Sequence, residues 1–161
     1  MTSPALRSAP PSSVSLAQKL MYALAALSVI NTLLTLTQRD AIRDMAPAGI
    51  DPDTFVSGAI AGSIIFTIIS VVLWVLLGVF TGRGKNWARI VATVLAVLGL
   101  ISSLTTFGSD SSTTANVVIA VIQVIIFIAL IVLLWRKESS AFFKAGGAPR
   151  QTVADPGYPT V

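Results

Sequence analysis

Residues 54–80 carry no charged side chain. At 1.5 Å per residue such a run exceeds the roughly 30 Å of a bilayer's hydrocarbon core and crosses it with some tilt. Inside lipid a lone segment must satisfy its own backbone, so it is a helix. Three further apolar runs accompany it, at about 16–37, 87–107 and 115–135. The predicted fold is all-α, a bundle of four transmembrane helices. Composition agrees: 54% of the residues are hydrophobic and 11% are charged, against about a quarter charged in soluble domains.

The intervening segments mark the ends of the spans. Asp51, Pro52 and Asp53 form a helix start, with Asp51 as N-cap, Pro52 in the first turn and Asp53 favourable to the dipole. Ahead of them, Asp40 and Arg43 are spaced to pair on a helical turn, and Pro47 and Gly49 break it. Residues 81–89 carry Arg83, Lys85 and Arg89 with no acid. A polar turn is expected at 108–114, and Arg136 and Lys137 stop the fourth span. Residues 139–145 are too short to span and read as interfacial, with Phe142 and Phe143 dipping in. Residues 1–14 and 146–161 are rich in Pro, Gly and small polar residues and read as disordered tails around a membrane domain at 15–145. Lys19 ahead of an apolar run resembles a signal peptide, but the run outlasts an h-region and no cleavage site follows directly.

Charge sets an expected orientation. With both termini and the 81–89 loop on one side, that side holds Arg7, Lys19, Arg83, Lys85, Arg89, Arg136, Lys137, Lys144 and Arg150, nine of the eleven Lys and Arg. The other holds Arg39 and Arg43 with Asp40, Asp44, Asp51, Asp53 and Asp110. The positive-inside rule then places both termini in the cytoplasm of a multi-pass cell-membrane protein. Arg83, Lys85 and Arg89 are expected to meet anionic lipid headgroups. No sustained basic face with interleaved aromatics suggests nucleic acid.

Several chemistries lack their residues. The chain has no cysteine and no histidine, which removes thiolate nucleophiles, Cys/His metal sites and the usual neutral-pH base. The interior of the spans offers no carboxylate or cation for ion-coupled transport. Asp40, Asp44, Asp51 and Asp53 could gather a hard cation but lack the spacing of a known loop, and Asp51 already has a capping role. No catalytic, metal or cofactor site is assigned.

Two sets of residues remain. Small residues stack at four-residue spacing: Gly58 and Gly62 in the second span, Ala88, Ala92 and Ala96 in the third. They let backbones approach closely, either within the bundle or against a membrane partner or second copy. The polar set is Asn31, Thr67, Ser102 and Gln123. Counted along each helix at 1.5 Å per residue, all four lie roughly 18–22 Å from the cytoplasmic end. They form one polar layer, with Asn31 and Gln123 expected to be close. The layer reads as interhelical glue, with Thr67 and Ser102 bonding their own helices, or as a polar binding point.

Residues 82–89 (GRGKNWAR) followed by 90–95 (IVATVL), and residues 135–143 (WRKESSAFF), resemble stretches of small uncharacterised four-helix membrane proteins of actinobacteria, including mycobacteria and their relatives. The resemblance implies a plasma-membrane location and the four-helix architecture, and no activity. The expected function is non-enzymatic, through helix association with a membrane partner or itself. The alternative is transport or permeation along the polar layer.

Overall fold

The structure is a computed structural model that describes residues 10–107 and 113–147. The expectations for residues 1–9, 108–112 and 148–161, including Arg7, Asp110 and Arg150, lie outside the described residues. Four long helices form the body: α1 (Ser12–Thr37), α3 (Pro52–Gly82), α4 (Asn86–Phe107) and α5 (Thr114–Trp135). Two short helices, α2 (Arg39–Asp44) and α6 (Lys137–Lys144), follow α1 and α5. Each long helix is long and apolar enough to cross a membrane. Their outward faces carry Ile65, Ile68 and Ile125 at 58–60% exposure, a belt suited to hydrocarbon rather than water. The chain is a helical, multi-pass membrane protein.

Local chemistry explains the helix ends. The Asp51 carboxylate accepts from the Thr54 backbone N–H (2.8 Å) and hydroxyl (2.9 Å), with Pro52 in the first turn. These bonds favour the charged form and hold the Asp51 carboxyl below its usual range. Thr113 caps α5 through Asn116 N–H at 3.4 Å. Arg43 pairs with Asp53 at 2.9 Å, not with Asp40, because the chain folds α2 back onto the start of α3. Both partners are more than half exposed, so the pair adds little stability.

The long helices form a ring in the order α3, α1, α5, α4. α1 lies along α3 and α5, and α4 along α5, while α3 and α4 meet less extensively although they are consecutive. One end of the ring carries Lys19, Arg83, Lys85, Arg89, Arg136, Lys137 and Lys144; the other carries Asp40, Asp44, Asp51 and Asp53 with Arg39 and Arg43. We call these the basic and acidic ends.

The core occupies the basic half. Met21, Leu77, Leu130 and Leu134 are at most 2% exposed, and Trp74 packs on Phe127 at 6.2 Å. Lipid is as apolar as leucine, so close packing rather than the hydrophobic effect holds these helices together. Small residues make it possible. Ala88, Ala92 and Ala96 are fully buried, so that stripe is an intramolecular contact. A Cβ on Gly78 would lie 2.7 Å from the Tyr22 ring, one on Gly82 2.9 Å from the Gln18 amide, and one on Gly99 2.5 Å from the Phe127 ring. Gly58 and Gly62 do the opposite. They are exposed and a Cβ on either would meet nothing within 4 Å, so they pack no helix of this bundle.

Two expectations at the basic end change. The first concerns the N-terminal tail: α1 begins at Ser12, inside residues 1–14, and Ser13 and Val14 are buried. Pro11 O accepts from the N–H groups of Val14 and Ser15, and the Ser13 and Ser139 hydroxyls, the latter on α6, bond to each other at 3.0 Å. The second concerns Arg89 and α6. Arg83 and Lys85 are exposed, but Arg89 is only 6% exposed and so is not a headgroup cation. Its guanidinium stacks 3.9 Å over Trp135, sits 5.4 Å from the Phe143 ring and donates to the Ser140 hydroxyl at 3.1 Å. Phe143 is 4% exposed. α6 is therefore docked on the bundle through Arg89 rather than resting at the interface with both phenylalanines in lipid.

Candidate functional site

Polar side chains recur with helical spacing in the acidic half. On α1 they are Ser28, Asn31, Thr32 and Thr35, at positions i, i+3, i+4 and i+7. On α3 they are Ser63, Thr67 and Ser70; on α4, Ser102, Ser103 and Thr106; on α5, Gln123. This spacing puts each set on one helix face. All of them line a single cavity of about 550 Å³, within the roughly 300–1,000 Å³ usual for small-molecule sites.

The four residues of the expected polar layer, Asn31, Thr67, Ser102 and Gln123, therefore share one cavity, each from a different helix. The layer is the centre of a longer polar strip. Its floor, toward the basic end, is Leu24, Trp74, Gly99 and Phe127, where the packed core begins. The lining includes no Asp, Glu, Lys or Arg.

Hydrogen bonding separates two kinds of polar group here. Several hydroxyls are used inside their own helices: Ser28 donates to Ala25 O (2.7 Å), Ser63 to Ile60 O (2.8 Å), Thr35 to Asn31 O (3.0 Å) and Ser103 to Gly99 O (2.9 Å). Each keeps lone pairs that can accept a bond from a guest. The Thr32 and Thr67 hydroxyls bond to each other and join α1 to α3. By contrast, the side-chain amides of Asn31 and Gln123 bond neither to each other nor to any described residue. Asn31 is exposed and Gln123 partly so, which leaves both amides available to the cavity. Thr67 does not bond its own helix, as expected from sequence, but reaches across to Thr32.

The interhelical amide glue expected at Asn31 and Gln123 lies elsewhere. Gln38 and Asn116 exchange two side-chain bonds, at 3.3 and 3.2 Å, and tie the end of α1 to the start of α5. Sequence reading passed over this pair because both residues sit at span ends, where water competes for amides. It also passed over the second four-residue glycine pair of α3, Gly78 and Gly82, which makes the close contacts. The polar stripes themselves were visible as i, i+3, i+4, i+7 serines, threonines and asparagine on α1.

The acidic-end aspartates are dispersed in use: Asp51 caps α3 and Asp53 pairs with Arg43. Among the described residues no group of three or more His, Cys, Asp or Glu is placed to hold a metal ion.

Comparison with models of protein families, with curated proteins and with solved structures finds no significant match to this chain.

Proposed function

We propose that this protein is a non-enzymatic membrane protein that binds an uncharged, hydrogen-bonding molecule in the cavity of its acidic half. The observation that carries the reading is the convergence of polar side chains from all four long helices on one cavity, with the Asn31 and Gln123 amides unbonded. Two unbonded amides inside a membrane bundle are costly. A guest that bonds to them, or water in its absence, removes that cost. The uncharged lining disfavours ions. The packed core below Trp74 and Phe127 closes the way to the basic end, which favours binding over permeation.

The charge pattern supports a cytoplasmic basic end, both termini inside, in the plasma membrane that the actinobacterial resemblance implies. The cavity then lies toward the outer leaflet, and Arg83 and Lys85 meet anionic headgroups of the inner one. The chain lacks cysteine, so single cysteines test this. Ala48→Cys should label from outside intact cells, and Ala145→Cys only after permeabilisation; the reverse pattern would invert the orientation.

The binding reading is tested by purifying the protein in lipid discs and measuring what small molecules accompany it by mass spectrometry. The wild type should carry an uncharged compound that the Asn31→Leu/Gln123→Leu variant loses at least tenfold. Equal recovery in both would refute the reading.

A second reading, association with a membrane partner or another copy, draws on Gly58 and Gly62, which face outward on α3 and meet nothing. Gly62→Leu should then lower the mass of the particle in native lipid; an unchanged mass would count against it.

A further inference from the structure

The cavity has an open side as well as a polar back. α3 and α4 are the neighbours that meet least. They are held at the basic end by the short turn between them and by Phe80 packing on Trp87 at 5.1 Å. Along the acidic half their facing sides line the cavity. There the apolar lining residues Phe66, Ile69 and Leu98 are 70%, 52% and 55% exposed. All three belong to the middle of their spans, so this rim faces acyl chains rather than headgroups or water.

We infer that the cavity takes an uncharged lipid, with hydroxyl or ester groups on a hydrocarbon chain, which enters sideways from the bilayer between α3 and α4. The inference rests on the binding reading above and names its ligand class. Three features fit this guest. The back wall offers donors and acceptors in the Asn31 and Gln123 amides and acceptors in the Ser28 and Ser103 hydroxyls, which match hydroxyl and ester oxygens. The rim offers Phe66 and Ile69 on α3 and Leu98 on α4 to the chain. The absence of any charged lining residue excludes compensation for a phosphate, and a charge at this depth is strongly disfavoured. A water-soluble guest would leave the apolar rim without a partner.

Two photoreactive probes with identical chains separate the possibilities: a diacylglycerol and the corresponding phosphatidic acid, each incorporated at low fraction into discs holding the full chain. Diacylglycerol should label peptides containing Phe66 or Leu98. Excess unlabelled diacylglycerol should compete, phosphatidic acid should not, and the Asn31→Leu/Gln123→Leu variant should lose at least tenfold of the signal. Ser102→Phe, which fills the exposed side of the cavity on α4 without entering the core, should do the same; it guards against a folding defect in the first variant. Equal labelling by phosphatidic acid would overturn the selection for an uncharged head. Labelling that neither variant reduces would show bulk lipid contact only and overturn the site. If neither probe labels the cavity while the wild type still carries a water-soluble uncharged compound, the lipid inference fails and the binding reading survives. If neither probe labels and nothing accompanies the wild type, both fail.

Discussion

The two halves of this bundle are built from the same four helices and solve opposite problems. In the basic half, residues without side-chain bulk bring backbones together: Gly78 against Tyr22, Gly82 against Gln18, and the fully buried Ala88, Ala92 and Ala96 of α4. Leucines, Trp74 and Phe127 fill what is left. Arg89 closes that end by pinning α6. In the acidic half the helices are joined at the Thr32–Thr67 and Gln38–Asn116 bonds, and between them lies a polar cavity. Since lipid gives no hydrophobic drive to helix association, stability in such a protein comes from dense contact, and the dense contact is in one half. The other half is free to keep polar groups unbonded. Unbonded polar groups that lower stability are a mark of sites kept for binding.

Substitutions in the two halves should therefore differ in size, and the largest effects belong to the packed half. Leu130→Ala removes a fully buried side chain and should cost about 2–5 kcal/mol, read by reversible unfolding in lipid discs or mild detergent. A cost under about 1 kcal/mol would show that the half is not densely packed. Gly78→Leu drives a side chain into the Tyr22 ring and should cost about 1–3 kcal/mol by overpacking. The same change at Gly62 should leave monomer stability unaltered, and an equal loss at both would erase the distinction between the glycine pairs.

Arg89→Lys keeps the charge but loses the planar stack on Trp135. We expect a loss of about 1–2 kcal/mol from the desolvated cation–π contact and faster hydrogen exchange confined to α6. Unchanged α6 protection would mean that Phe143 and the Ser139–Ser13 bond dock the helix without the stack. In the acidic half, a double-mutant cycle between Gln38→Leu and Asn116→Leu should give a coupling of about 0.6–1.7 kcal/mol. A coupling near zero would remove the amide pair from the account.

The smallest effect concerns Asp51. Its folded carboxyl lies below the ordinary 3.8, so its contribution is fully present above that value. It is lost as pH falls through the lower folded value. The shift in unfolding midpoint between pH 5 and pH 3 should shrink in Asp51→Asn, which still caps but does not titrate. An identical shift would assign the acid sensitivity to other carboxylates.

Much of the fold was legible because lipid imposes simple rules. An uncharged run the length of residues 54–80 can only be a spanning helix, and Asp51 with Pro52 marks its start. The Ala88, Ala92 and Ala96 stripe is a contact by spacing alone. What escaped was which partner each face meets. Gly58–Gly62 and Gly78–Gly82 are the same pattern on one helix, yet only the second pair touches another helix. The four-residue spacing alone does not distinguish them; the ring order of the helices does. The cavity was half legible. Counting residues along each span brought Asn31, Thr67, Ser102 and Gln123 to one depth, and the structure places all four on one cavity. Depth says nothing of rotation about the helix axis, so the count did not reveal whether the amides bond each other or face a space. Arg89 was misread for a related reason: a cation in the first turn of a span looks like a headgroup contact until α6 is seen folded over it.

The most direct test is the stability of the ligand-free Asn31→Leu/Gln123→Leu variant, measured beside wild type and Leu130→Ala. If the amides are kept for a guest, replacing them with leucines removes unbonded polar groups and leaves stability equal to or above that of the ligand-free wild type. A loss comparable to that of Leu130→Ala would mean that Asn31 and Gln123 hold the helices together, and the acidic half would then be scaffold rather than site.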